Sequence, residues 1–152
     1  MAKIYVSSSW KNEFQPQLVE ELRKRGHEVY DFRHPNGRND RNVWELYYAR
    51  VGLDDCYRQD VVVPSVFRES LVDEEVHRRF SEHYNAMLEA DVCVLLLPCG
   101  RSSHVEAGFM KGKGKDVFIL DTSCHVIPEL MYLCFDDYFY EINSLLDALD
   151  NR

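Results

Sequence analysis

Apolar positions along this chain follow two rhythms. Some form short continuous or β-branched runs, and others return every three or four positions over longer stretches. Residues 3–8 (KIYVSS) predict a strand that ends in a serine-rich polar loop. Asn12, with Gln15 three positions on, fits the start of a capped helix, and Pro16 is tolerated because it falls in the first turn. Phe14, Leu18, Val19 and Leu22 then recur at helical spacing, Lys11, Arg23 and Lys24 stay on the polar side, and Gly26 ends the helix. Residues 28–32 (EVYDF) predict a second strand. Strand, helix and strand in such close succession start a βαβ unit and hence a parallel sheet.

After the turn-rich, basic loop 33–41, residues 43–51 are apolar and aromatic. Trp44, Tyr47 and Tyr48 can wall a pocket there, but at helical spacing they also suit core or subunit contact. Residues 52–70 show no clear period, and Val61-Val62-Val63-Pro64 suits either an edge strand or a packed loop. A segment of that kind in a compact domain is expected to cover a site. The pattern resumes with a helix over 73–90, whose apolar face is Val76, Phe80, Tyr84, Met87 and Leu88 and whose first turn is acidic. Residues 91–97 (DVCVLLL) read as a central parallel strand covered on both faces. A loop at 98–102, a helix over 103–113 and another buried strand over 116–121 follow, then a short helix over 128–133, an edge strand over 138–141 and a closing helix over 142–149. The sum is a single α/β domain over residues 1–152, an open, doubly wound sheet of about five mostly parallel strands with helices on both faces. Ligands of such sheets sit outside the carboxyl ends of the strands, which singles out loops 7–10, 31–35 and 98–106.

Composition narrows the partners. The chain has 152 residues and a formal charge of −8, which argues against a general binder of nucleic acid or of anionic membranes. A small anionic ligand held by a local cluster stays open. No apolar run approaches the roughly 20 residues that a membrane span needs. The start, MAKIYVSSSW, lacks the pattern of a signal peptide. The five cysteines are odd in number and form no CxxC pair, so a reducing cytoplasm is the simplest expectation, with Cys93 and Cys134 as small apolar residues. The six histidines show no metal-ligand spacing, so neither a metal nor another cofactor is expected.

The densest chemistry lies in LPCGRSSHVEAGFMKGKGK, residues 97–115. A buried strand ends in a glycine-containing turn, and a helix opens on serines and a histidine. Backbone N–H groups at that helix start, with Gly100, Arg101, Ser102 and Ser103, can hold an anion or sugar hydroxyls. The run matches neither a phosphate-binding GxxxxGK[ST] loop nor GxGxxG. Glu106 has two readings. Ser103-His104-Val105-Glu106 fits S-x-x-E, a capping box in which the carboxylate bonds back to the cap backbone. Alternatively the carboxylate is kept ionised by the helix N-terminus, faces the site, and attacks an anomeric carbon to form a glycosyl-enzyme ester.

KIYVSSSW at the first strand, EVYDFRHP at the second, AMLEADVCVLLLPCGRSSHVEAGF at the centre and GKDVFIL after it together resemble the nucleoside 2-deoxyribosyltransferase-like superfamily. The resemblance spans most of the chain outside residues 43–70. It implies a flavodoxin-like sheet, cleavage of the N-glycosidic bond of a nucleoside or nucleotide, transfer of the sugar to a base or to water, a homo-oligomer, and Glu106 as nucleophile. It also implies an acid on the helix before the central strand, where this chain has His83, a residue able to act as a general acid near neutral pH or to sit on a polar helix face. Ser7-Ser8-Ser9-Trp10 replaces a Gly-Pro turn common in the family. Ser7 and Ser8 can bind phosphate or ribose, and Trp10 can stack on a base or pack on the first helix. Arg33 suits a phosphate and Asp31 a sugar hydroxyl or base edge, unless the two pair within the loop. Two other functions fit the same residues: a non-catalytic nucleotide-binding or sensing domain, and an NAD glycohydrolase like the TIR-like domains, which also use a Glu on a similar sheet.

Overall fold

The structure, a computed structural model, describes residues 1–59, 63–123 and 129–152. It divides into two compact units, one formed by residues 1–32 and 86–152 and the other by residues 33–85.

The first unit is built on a five-stranded sheet: β1 (Lys3–Ser7), β2 (Glu28–Tyr30), β3 (Val92–Leu97), β4 (Asp116–Asp121) and β5 (Asp137–Phe139). Every pairing is parallel and the spatial order is β2-β1-β3-β4-β5. This is the expected flavodoxin-like sheet, with its switch point between β1 and β3. The two-residue period of β1 sorts its side chains onto two faces. Ile4 and Val6 join Val92, Val94, Leu96 and Leu120 in a core closed by Leu18, Val19 and Leu22 of α1 (Gln15–Lys24) and by Leu145, Leu146 and Leu149 of α7 (Ile142–Asp150). Each such side chain taken fully out of water contributes roughly 1.5–3 kcal/mol. Tyr5 and Ser7 face the other way, toward α6 (Arg101–Gly112), whose Ser103, Ala107 and Met110 are buried at helical spacing. Between β4 and β5 lies a short 3-10 helix, Leu130–Cys134, and Lys111 on α6 bonds Asp136 at its foot (2.5 Å).

The second unit holds α2 (Val43–Arg50), α3 (Asp54–Arg58), α4 (Pro64–Ser70) and most of α5 (Glu74–Glu89). Asn42 caps α2 by accepting from the Trp44 N–H (2.9 Å), and Asp73 caps α5 by accepting from the N–H groups of Glu75 (3.1 Å) and Val76 (3.2 Å). Tyr47, Tyr48 and Val76 are buried together, with Trp44, Leu53, Tyr57 and Val66 packed on them.

Several expectations shift. Asn12 does not cap α1, which starts at Gln15 after Phe14. Its side chain accepts from the Phe14 N–H (3.0 Å) and donates to the Pro98 carbonyl (3.1 Å), so it braces two loops instead. Gln15 is fully buried and donates to Asp31 (2.9 Å). The apolar face expected for α5 is also rotated. Val76 and Met87 are buried, but Phe80 and Leu88 are exposed and Phe80 stacks on Tyr84. Arg79 lies inside instead, because Asp40 and Glu75 neutralise it. The final strand starts earlier than the expected 138–141, and Cys134 is exposed rather than apolar filling. Val61 and Val62 lie outside the described residues, as do Cys124 and Pro128, while Pro64 opens α4.

Candidate active site

At the β1/β3 switch point, Tyr5 pairs in register with Cys93 and Ser7 with Leu95, so β1 presents two hydroxyls beside β3 on the face that α6 covers. The chain leaves β3 through Pro98-Cys99-Gly100 and enters α6 at Arg101. Because the helix begins two residues before Ser103, Ser103 falls inside its first turn and the S-x-x-E capping box does not form. Gly100 occupies the cap and has no side chain to offer. Glu106 is therefore released from the capping role and lies on the α6 face that looks toward β1.

There the carboxylate accepts from the Ser7 hydroxyl through Oε2, in a short contact, and from the Tyr5 hydroxyl. Ser7 Oγ also lies 3.2 Å from the Ser103 carbonyl. Ser7 is wholly buried, Tyr5 nearly so, and Glu106 is half-buried. Burial first, and the negative charge of Glu106 second, push the Tyr5 phenol and the Cys93 thiol well above their ordinary pKa values. Cys99 is pushed up to about 11, by burial first; a hydrogen bond from Ser103 opposes the shift and the charge of Glu106 adds to it. The groups around Glu106 thus stay protonated and neutral, and can offer it hydrogen bonds without competing for its charge.

The walls of this crevice are cross-braced. Ser8 donates to the Leu96 carbonyl (3.0 Å), and Asn12 to that of Pro98. His104 Nδ1 lies 2.9 Å from the Gly100 carbonyl, which can only accept, so this nitrogen carries the proton and Nε2 accepts from Tyr132 (3.0 Å). That bond ties the 3-10 helix to the first turn of α6. At the end of β4, Asp121 accepts from the Ser123 N–H (2.9 Å), the Ser123 hydroxyl (3.0 Å) and the Tyr138 hydroxyl (2.6 Å). Burial first, then Asp121, pushes Tyr138 up to about 12.

Ser7, Ser103 and Glu106 are brought together, and Gly100, Arg101 and Ser102 are exposed at the mouth of α6. The hydroxyls of Ser7, Ser8 and Ser103 bond Glu106, the Leu96 carbonyl and Cys99 in turn. Trp10 packs edge-on against Phe32, with ring centres 5.1 Å apart. Asp31 is buried and held by Gln15. Arg33 and His83 belong to the second unit, His83 on α5. Tyr5, Tyr132 and Asp121 escaped the sequence reading. The alternation of β1 placed Tyr5 on the same face as Ser7 and was the available signal; the other two depend on long-range packing.

Parallel order and a switch point between β1 and β3 define the architecture as a flavodoxin-like α/β sheet, with Glu106 on the helix after the central strand. Among solved structures the chain is similar to a 2-deoxyribosyltransferase from the psychrotolerant bacterium Bacillus psychrosaccharolyticus, with a TM-score of 0.61 and 19% identity over 96% of this chain and 91% of that one. It is also similar to a CMP N-glycosidase of Clostridium botulinum, with a TM-score of 0.48 and 15% identity over 97% and 98% of the two chains. No protein-family model and no curated protein sequence matches the chain. The resemblance carried by the motifs thus stands as a likeness of fold. Among the described residues no helix is long and apolar enough to cross a membrane, and no group of three or more His, Cys, Asp or Glu side chains is placed to hold a metal ion.

Proposed function

We propose that this protein cleaves the N-glycosidic bond of a nucleoside or nucleotide, with Glu106 as the nucleophile. The observation that carries this reading is the setting of Glu106. It is a half-buried carboxylate at the ligand-binding edge of the sheet, ringed by protonated groups and held by Ser7 and Tyr5. An anion kept in one orientation, with neutral donors around it, suits attack on an anomeric carbon as positive charge develops there. The fold shared with a 2-deoxyribosyltransferase supports the same chemistry. The exposed first turn of α6, with Gly100, Arg101 and Ser102, is the proposed seat for sugar hydroxyls or a phosphate. The leaving base takes up a proton, and the sugar passes to water or to a second base. The protein acts in the cytoplasm as a homo-oligomer and uses no cofactor.

The test is chromatography of base release from nucleosides, deoxynucleosides, their monophosphates and NAD, for the native protein and Glu106→Ala. Free base from one of them, lost in the variant, is the expected result and names the substrate. Nicotinamide release from NAD alone would shift the assignment to a TIR-like glycohydrolase. Binding without release, even with an acceptor base added, would make the protein a nucleotide-binding domain.

A further inference from the structure

We propose that Ser7 is a positioning residue that sets the rate at which Glu106 is expelled from the glycosyl-enzyme. This rests on the reading of Glu106 as nucleophile. The Ser7 hydroxyl has one proton and two acceptors within reach, Glu106 Oε2 and the Ser103 carbonyl. Ser7 is wholly buried between β1 and α6, so water does not compete for that proton. The carboxylate is charged and the carbonyl is not, so in the free enzyme the proton goes to Glu106, the stronger acceptor.

In the first half-reaction a Glu106 oxygen forms a bond to C1′ as the C1′–N bond breaks. The base leaves with that electron pair and takes up a proton. Glu106 becomes a neutral ester and a poorer acceptor, and the Ser7 proton can turn to the Ser103 carbonyl. In the second half-reaction an oxygen of water, or a nitrogen of an acceptor base, attacks C1′ and gives up a proton. The C1′–O bond to Glu106 breaks and its electron pair returns to the carboxylate. The Ser7 proton then follows the charge back. A donor that binds the carboxylate more strongly than the ester opposes the first step and favours the second.

The experiment measures both half-reactions in single turnovers, base release for the first and sugar release for the second. It uses the native protein, Ser7→Ala and Ser7→Thr, with whichever substrate the native protein cleaves. Ser7→Ala is expected to raise the ratio of first to second rate by about tenfold, the size of one hydrogen bond to a charged group. The glycosyl-enzyme should then accumulate as a mass increase on the intact chain. Ser7→Thr keeps the hydroxyl and is expected to bring the ratio back toward the native value. Because both rates come from the same folded molecules, their ratio is indifferent to how much of a variant folds. An unchanged ratio in Ser7→Ala, with or without a lower melting temperature, makes Ser7 purely structural and overturns the proposal. A native protein that releases no base from any of the substrates removes the nucleophile reading and this proposal with it, a different outcome from active protein with an unchanged ratio.

Discussion

In the sheet unit the buried set is aliphatic: Ile4, Val6, Leu18, Leu22, Val92, Val94, Leu96 and Leu120 are almost wholly out of water. In the second unit the buried set is small and aromatic, Tyr47 and Tyr48 with Val76, and much of the remaining order comes from charge. Arg38 bonds Glu82 (2.9 Å), Arg78 bonds both Glu82 (2.6 Å) and Glu75 (2.6 Å), and Arg79 bonds Glu75 (2.9 Å) and Asp40. Aliphatic burial is strong and indifferent to pH and salt, whereas exposed ion pairs contribute about 0–1 kcal/mol each and depend on both. Glu106, the proposed nucleophile, is braced from β1, whose Ile4 and Val6 are anchored in that aliphatic core.

The largest effect expected is on chemistry rather than folding. Glu106→Gln should lower base release by about a thousandfold or more, as removal of a covalent nucleophile does, with both units still folded by circular dichroism. Activity retained in this variant would leave the sheet unit a scaffold without a nucleophile. Next comes the core: Leu96→Ala should destabilise the sheet unit by roughly 2–5 kcal/mol, because a fully buried methyl cluster is replaced by a cavity. Trp10 and Trp44 lie one in each unit and serve as separate reporters. With either one changed to Phe, urea unfolding should show a larger shift at Trp10 than at Trp44. Equal shifts would mean that the two units unfold as one and would dissolve the comparison.

The contrast also decided what could be read from the sequence. The sheet unit was legible because its strands and α1 bury whole periodic faces, so DVCVLLL and the Leu18–Val19–Leu22 spacing carry the signal unaided. The second unit was not: α3 and α4 are short, and α5 buries Arg79 where its apolar pattern pointed to Phe80. A charged residue goes inside only when partners distant in sequence neutralise it, and Asp40 lies far from Arg79 along the chain. The site was half legible for the same reason. The position of Glu106 follows from local sequence, but the start of α6 moved by two residues, and this turned a capping box into a carboxylate bound by Ser7 from the other end of the chain.

Arg79→Ala tests that neutralised cluster directly. It leaves Asp40, whose side chain is only 11% exposed, without its close partner. Losing a charge-assisted bond at a largely buried site costs about 1.5–3 kcal/mol, and the loss should appear at Trp44 in urea unfolding. A change at Trp10 alone would place Arg79 outside the stability of its own unit.

The smallest effect is acid sensitivity, and its sign follows from the two glutamates. Hydrogen bonding from Arg78 holds Glu75 below the ordinary 4.5. Burial opposes the shift at Glu82, yet the hydrogen bond from Arg38 and the charges of Arg78, Arg38 and Arg79 hold it below 4.5 as well. A carboxyl group whose folded pKa is lowered binds fewer protons folded than unfolded, so its stabilisation is complete above 4.5 and is lost as pH falls through the lowered value. Trp44 fluorescence should therefore report loosening of the second unit below about pH 4.5. In the sheet unit the hydrogen bond from Arg25 holds Asp150 below the ordinary 3.8, and at Asp136 burial opposes the shift but Lys111 holds it below 3.8 as well, so Trp10 should respond only at lower pH. Both glutamates are partly exposed, so salt should blunt the effect at Trp44. A Trp44 transition that ignores both acid and salt would show that the aromatic cluster alone holds the second unit, and the ion pairs would then be decoration on a unit stabilised like the first.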